Sequence, residues 1–296
     1  MALYERHPAR TLHDPVFVVC LEGWVDAGLG ADGAISTLLA AEPTELLATF
    51  DGETLIDQRA RRPVVHINQG VNEGLTWPVI QARAGTDRNG ADVCYLVGPE
   101  PDFRWSTFVA DVLSLVLELE VRMVVGLGAF PAPAPHTRPI RLAATAPPGS
   151  AELVPLVGVV QGEIDVPSGV WGALELAFGD AGIPCVGLWA RVPHYVAGMA
   201  FPAASAALLD GLTVVTGLSF DSTTLHTAAD TSRQQVDELI SRSTEHSQLV
   251  EQLERNVDVA EGNPLDVGQI PTGDELAAEL ERYLRDRGES GSGDHG

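Results

Sequence analysis

Six short apolar runs, each bounded by polar or turn-forming residues, constrain the fold of this chain more than any other feature. They occupy residues 16–21, 64–68, 93–97, 122–127, 157–160 and 184–190. Runs this short and this apolar read as strands buried on both faces of a sheet. Helical patterns fall between several of them, at 31–41, 102–120, 168–180 and 202–213. The resulting β-α-β rhythm predicts a three-layer α/β sandwich whose sheet is mostly parallel or mixed, with helices on both faces. Between residues 45 and 84 the helical signal weakens. Runs at 46–50, 64–68 and 79–83 alternate there with turn residues, which predicts an antiparallel or mixed edge inserted into the sheet.

After Gly217 the strands stop and long polar helical patterns begin. The expected organisation is an α/β domain over 1–217, a helical appendage over 218–287 and a disordered tail over 288–296. The tail has no apolar residue to bury, so nothing offsets the entropy of ordering it. Within the appendage, Val236, Leu239, Val250, Leu253 and Val257 fall on one seam of three- and four-residue spacing, with Ser243 and His246 at the intervening positions. The seam can pack on its own domain or serve as a helical face for a partner. A single helix over 226–258 would be roughly 50 Å long at 1.5 Å per residue, more than is needed to cover a sheet. A final helix is expected over 274–287, with Asp274 at its start and arginines near its end, as the helix dipole prefers.

The formal net charge is −23, which disfavours nucleic acid and anionic lipid as partners because both need a basic patch. All 18 basic residues are arginine. Without lysine the chain can form neither a Schiff base nor the lysine contact of a P-loop. Cys20, Cys94 and Cys185 each sit inside an apolar run, and an odd count without CxxC spacing argues against a disulfide framework or a zinc site. These features predict reduced core thiols and a cytoplasmic protein, with no membrane-spanning segment, no metal and no cofactor.

Ligands of open parallel sheets bind beyond the carboxyl ends of the strands. The residues that follow the expected strands there are Trp24, Asp26, Arg104, Trp105, His136, Arg138, Glu163, Arg191 and His194. Together they form a candidate rim for a ligand or partner. Asp26 fits a turn or helix cap equally well, and loop histidines serve as structural hydrogen-bonders as readily as acid-base groups. No GxGxxG, Gly-x-Ser-x-Gly or His-Glu-x-x-His motif is present, so no catalytic residue is assigned.

Five stretches, taken in order, carry a resemblance: Glu22-Gly-Trp-Val-Asp-Ala-Gly, Glu100-Pro-Asp-Phe-Arg-Trp, Pro135-His-Thr-Arg-Pro, Pro167-Ser-Gly-Val and Leu188-Trp-Ala-Arg-Val-Pro-His-Tyr-Val. In these the chain resembles the proteasome-assembly-chaperone (PAC2-type) family in its prokaryotic branch. The resemblance implies a phosphorylase/hydrolase-like α/β fold without an established catalytic site. It also implies a non-enzymatic binding or assembly role, with proteasome subunits as protein partners and a homo-oligomeric state. The alternative is a small-molecule site at the strand-end rim, either nucleoside phosphorylase-like or ligase-like. A ligase of the ATP-grasp kind is expected to use lysine on nucleotide phosphates, for which only arginine could substitute here.

Overall fold

The computed structural model describes residues 2–23, 25–160 and 162–262. Their elements begin with β1 (Tyr4–Arg6), β2 (Val16–Glu22), α1 (Gly30–Ala41), β3 (Glu45–Phe50), α2 (Gly52–Leu55), β4 (Val64–Asn68), β5 (Val71–Thr76) and β6 (Gln81–Thr86). They continue with β7 (Asp92–Pro99), α3 (Trp105–Glu118), β8 (Met123–Ala132), β9 (Leu142–Thr145), α4 (Val154–Val157), α5 (Val170–Asp180), β10 (Cys185–Pro193), α6 (Pro202–Thr216), α7 (Thr223–Ile240) and α8 (Thr244–Gly262). The chain divides into two compact units. The first is Met1–Val160 with Gly169–Glu254, and the second is Gln161–Ser168 with Arg255–Gly296.

The first unit is built on an eight-stranded sheet in the order β1-β3-β6-β7-β2-β8-β10-β9. Its centre, β7-β2-β8-β10, is parallel, while β6, β3, β1 and β9 run antiparallel to their neighbours. The alternation of side chains along each strand builds two cores. On one face Val16, Val18, Tyr95, Val125, Val186, Leu188 and Val192 meet α1 and α6. On the other, Phe17, Val19, Cys94, Leu96, Val124 and Cys185 meet Phe108, Val112 and Leu115 of α3 and Leu174 and Phe178 of α5. The three-layer α/β class expected from the sequence is therefore present, with a mixed sheet.

Close approach explains two glycines on β8. An added Cβ at Gly126 would lie 2.6 Å from the Trp171 ring, and one at Gly128 would strike the ring of Trp189. Both indoles lie on a floor with no side chains of its own.

Three details differ from the sequence expectation. The run at 64–68 is not inserted into the large sheet: Gln69 and Gly70 both take positive φ and turn it back into a separate hairpin with β5. The run at 157–160 is not a strand. Its first residue ends the short helix α4, and the following segment meets β9 through the Ala144 N–H, which donates to the Gly158 carbonyl (2.9 Å). Beside β10, the edge position is instead taken by β9.

The single helix expected over 226–258 is two helices. Helix α7 ends at Ile240, and the Ser243 hydroxyl accepts from the His246 N–H (3.3 Å) at the start of α8. Gly217 closes α6 in a left-handed conformation (φ 71°), and beyond it α7 packs back onto α6. Val236 lies in the same core as α1 and α6, with Leu225 and Ile240 against it. The expected helix over 274–287 and the tail over 288–296 lie outside the described residues.

All three cysteines are free and buried. Burial pushes the Cys94 and Cys185 thiols up to about 12 and raises Cys20 as well, so almost no thiolate is present at neutral pH. The native protein at pH 8 is expected to show no fast reaction with a disulfide reagent and to expose three reactive thiols in denaturant. One fast-reacting thiol in the native state would contradict this packing.

Candidate functional site

Because β2, β7, β8 and β10 are parallel, the loops that leave their carboxyl ends emerge along one edge of the sheet. Backbone bonds tie these loops to one another. The Glu100 N–H donates to the Glu22 carbonyl (2.8 Å), Gly28 N–H to Ala197 (2.8 Å) and Phe201 N–H to Gly28 (2.7 Å). Gly28 has φ 65°, and a Cβ there would lie 2.8 Å from Phe201, so the turn needs glycine twice over. The Glu100 carboxylate also accepts from the Val170 N–H at the start of α5, a favourable place for a negative charge.

Asp26 caps α1. Its carboxylate accepts from the N–H groups of Ala31 (2.8 Å) and Asp32 (3.0 Å). Burial raises its pKa, and those two donations oppose the rise. Arg104 is exposed, in a left-handed conformation (φ 58°) at the start of α3, and Trp105 donates its indole N–H to the Pro101 carbonyl (2.6 Å). Arg191 is half-buried on β10, and its burial, followed by the nearby charge of Arg141, lowers its pKa. Glu163 is exposed in the second unit, and Trp24 lies outside the described residues.

The rim residues that do meet are the histidines and Arg138. The His136 side chain is only 1% exposed. Its Nδ1 lies 2.7 Å from the Tyr195 hydroxyl and its Nε2 lies 2.9 Å from Asp237 on α7. The His136 backbone N–H also donates to the Tyr195 oxygen (2.8 Å). Burial, helped by the nearby Glu254 and Asp237 charges, pushes the Tyr195 phenol up to about 12, so it keeps its proton. Both ring nitrogens of His136 thus have a hydrogen-bond partner, the Tyr195 hydroxyl at Nδ1 and the Asp237 carboxylate at Nε2. His194 stands edge-on to the Tyr195 ring, with centroids 5.3 Å apart.

Next to this network the Thr137 hydroxyl donates to Glu254 of α8, and Arg138 pairs with the same carboxylate (3.2 Å). Consecutive residues of the Pro-rich loop after β8 thus hold α7 through Asp237 and α8 through Glu254. Sequence reasoning chose the loop side of this clasp but not Tyr195, Asp237 or Glu254. The available signal was positional, since Asp237 and Glu254 each directly follow a seam residue, Val236 and Leu253.

Of the five seam residues, Val236, Val250 and Leu253 are buried within the chain at 1%, 7% and 6% exposure, and Leu239 is exposed. Val257, in the second unit, is partly exposed. Three of the five seam residues thus face inward, two of them directly beside the carboxylates that the clasp holds.

A general base must reach the proton it takes from a substrate. Here His136 has both ring nitrogens engaged and almost no exposed surface, so the geometry suits holding helices in place better than acid-base chemistry. Among the described residues no group of three or more His, Cys, Asp or Glu side chains is placed to hold a metal ion, and no helix is long and apolar enough to cross a membrane.

Comparison with known proteins places this geometry among relatives. No curated protein matches the chain. Among solved structures, a protein of unknown function from Corynebacterium glutamicum is 30% identical, with a TM-score of 0.83 over 89% of this chain and 99% of that one. A protein of unknown function from Mycobacterium tuberculosis is 34% identical, with a TM-score of 0.81 over 88% of this chain and 92% of that one. A proteasome-assembly chaperone homologue from Mycobacterium tuberculosis is 33% identical, with a TM-score of 0.73 over 79% of this chain and 99% of that one. The family model described as "PAC2 family" matches residues 20–240, a span that runs from the end of β2 through α7, and the chain belongs to the PAC2 family.

Proposed function

We propose that this protein is a non-enzymatic, assembly-chaperone-like binding protein whose partners are proteasome subunits. The observation that carries the reading is the closed state of His136, which spends both nitrogens on seating the C-terminal helices. The named role of the Mycobacterium tuberculosis homologue supplies the partner class. With Val236 turned inward, the partner contact falls on the outer side of α7, where Asp230 and Glu238 are exposed. Such a surface meets a basic partner through complementary charge, which speeds encounter and sets register. The protein works in the cytoplasm, where its three thiols stay reduced.

The test is co-elution of the purified chain with purified proteasome α-subunits from the same organism at low salt. A defined complex is expected, weakened at least about tenfold by Glu238→Arg together with Asp230→Arg, a loss of about 1.4 kcal/mol. Absence of any complex at tens of micromolar would overturn the reading.

A further inference from the structure

We propose that an aromatic surface on β8 and β10 binds a small planar anion, its ring laid on the indoles of Trp171 and Trp189 and its carboxylate or phosphate held by Arg191. This inference is independent of the proteasome reading. Alternation along β10 puts Gly187, Trp189 and Arg191 on the face that Cys185 shares with α5, and the parallel register sets them beside Gly126, Gly128 and Phe130 of β8. Three of these six residues are glycine, so the sheet there is bare backbone. The Trp171 ring, from the first turn of α5, lies face-on over Gly126, with three ring carbons 2.6, 2.6 and 2.7 Å from the place of an added Cβ. An added Cβ at Gly187 would stand 2.7 Å from Trp171 Nε1 and 2.9 Å from Trp189 Nε1, so the two indoles share one floor. Hydrogen bonds fix the Trp189 ring in place: its N–H donates to the Thr145 hydroxyl (3.1 Å), which donates in turn to Glu175 (2.8 Å). Trp171, Trp189 and Phe130 are each partly exposed, which leaves ring surface open to solvent.

Charge selects the ligand. Glu175 is engaged by Thr145, which stands opposite Gly187, whereas Arg191 lies four residues further along β10, near its carboxyl end. The chain holds 41 acidic residues against 18 arginines, yet among the described residues none pairs with Arg191, and its guanidinium has no hydrogen bond. The charge that acts on it is another cation, Arg141, whose carbonyl accepts from the Arg191 backbone N–H (3.0 Å). A half-buried cation without a counter-ion costs stability. A fold that keeps one at the strand ends where ligands of parallel sheets bind is equipped for an anion from outside. The planar fork of a guanidinium matches carboxylate and phosphate oxygens in two parallel hydrogen bonds. The indoles beside it favour a ligand that also carries a ring, through stacking and apolar burial.

Isothermal titration calorimetry of the full chain with phenyl phosphate, benzoate and inorganic phosphate tests this, alongside Arg191→Met. At least one of the two aromatic anions is expected to bind with a Kd of about 1 mM or below, at least tenfold more tightly than inorganic phosphate. Arg191→Met keeps an apolar stem and removes the charge, so it is expected to melt no lower than the wild type and to lose at least tenfold in affinity. A wild type that binds neither aromatic anion at about 10 mM, inorganic phosphate held as tightly as they are, or an Arg191→Met protein of unchanged affinity would overturn the proposal. So would an Arg191→Met variant that melts well below the wild type, since the charge would then have a structural partner.

Discussion

Replacing Val236 with aspartate is expected to destabilise the protein by about 4 kcal/mol, because it puts an unpaired charge into a closed apolar core. Val236 is 1% exposed and belongs to the apolar core that α1, α6 and one face of the sheet form. The same change at Leu239, three residues on and 51% exposed, is expected to cost no more than about 0.5 kcal/mol. Urea titration with an unchanged slope reads the difference directly. Equal effects at the two positions would mean that α7 does not pack on α6. This packing also decides how the helical region should be probed: cutting the chain after Gly217 removes Val236, Asp237 and Glu254 together. Such a cut would expose the core and release the loop as well as remove the proposed partner surface.

His136→Ala is expected to cost about 3 kcal/mol, from the lost burial of the ring and from the polar groups left without their partner. Tyr195→Phe should cost about 1–2 kcal/mol, since the buried His136 N–H then loses its acceptor. Asp237 is half-exposed, so a His136/Asp237 double-mutant cycle should return a coupling of only about 0.5–1 kcal/mol. A histidine retained for acid-base chemistry would behave differently, leaving stability nearly unchanged on removal. A stable His136→Ala protein would therefore contradict the clasp.

The layers of this fold are legible in the sequence where burial is symmetric. Residues 16–21 and 184–190 are apolar on both sides because each strand has a helix layer above and below, and that condition writes itself as an unbroken run. The run at 64–68 has the same appearance for another reason. Its residues belong to a separate exposed hairpin, and composition alone does not separate an exposed apolar strand from a core. Strand β9 is only four residues long and sits at a sheet edge, too brief for any periodicity to mark it. The break between α7 and α8 depends on a Ser243 cap at a position where the seam pattern simply continues. At the candidate site, His136 and Arg138 stood out as polar residues in a proline-stiffened loop. Their partners could not be found the same way, since Asp237 lies 101 residues from His136 and Glu254 lies 116 from Arg138. Local pattern carries no information about which distant carboxylate completes a pair.

The proposed role, helping other chains to assemble, rests on membership in the PAC2 family, on the closed histidine and on the outward carboxylates of α7. The most direct measurement is the rate at which purified proteasome α- and β-subunits form the complete particle, followed on native gels with and without stoichiometric amounts of this protein. Faster formation is expected, with the gain lost in the Glu238→Arg/Asp230→Arg variant. An unchanged rate with the folded wild-type protein would contradict an assembly role.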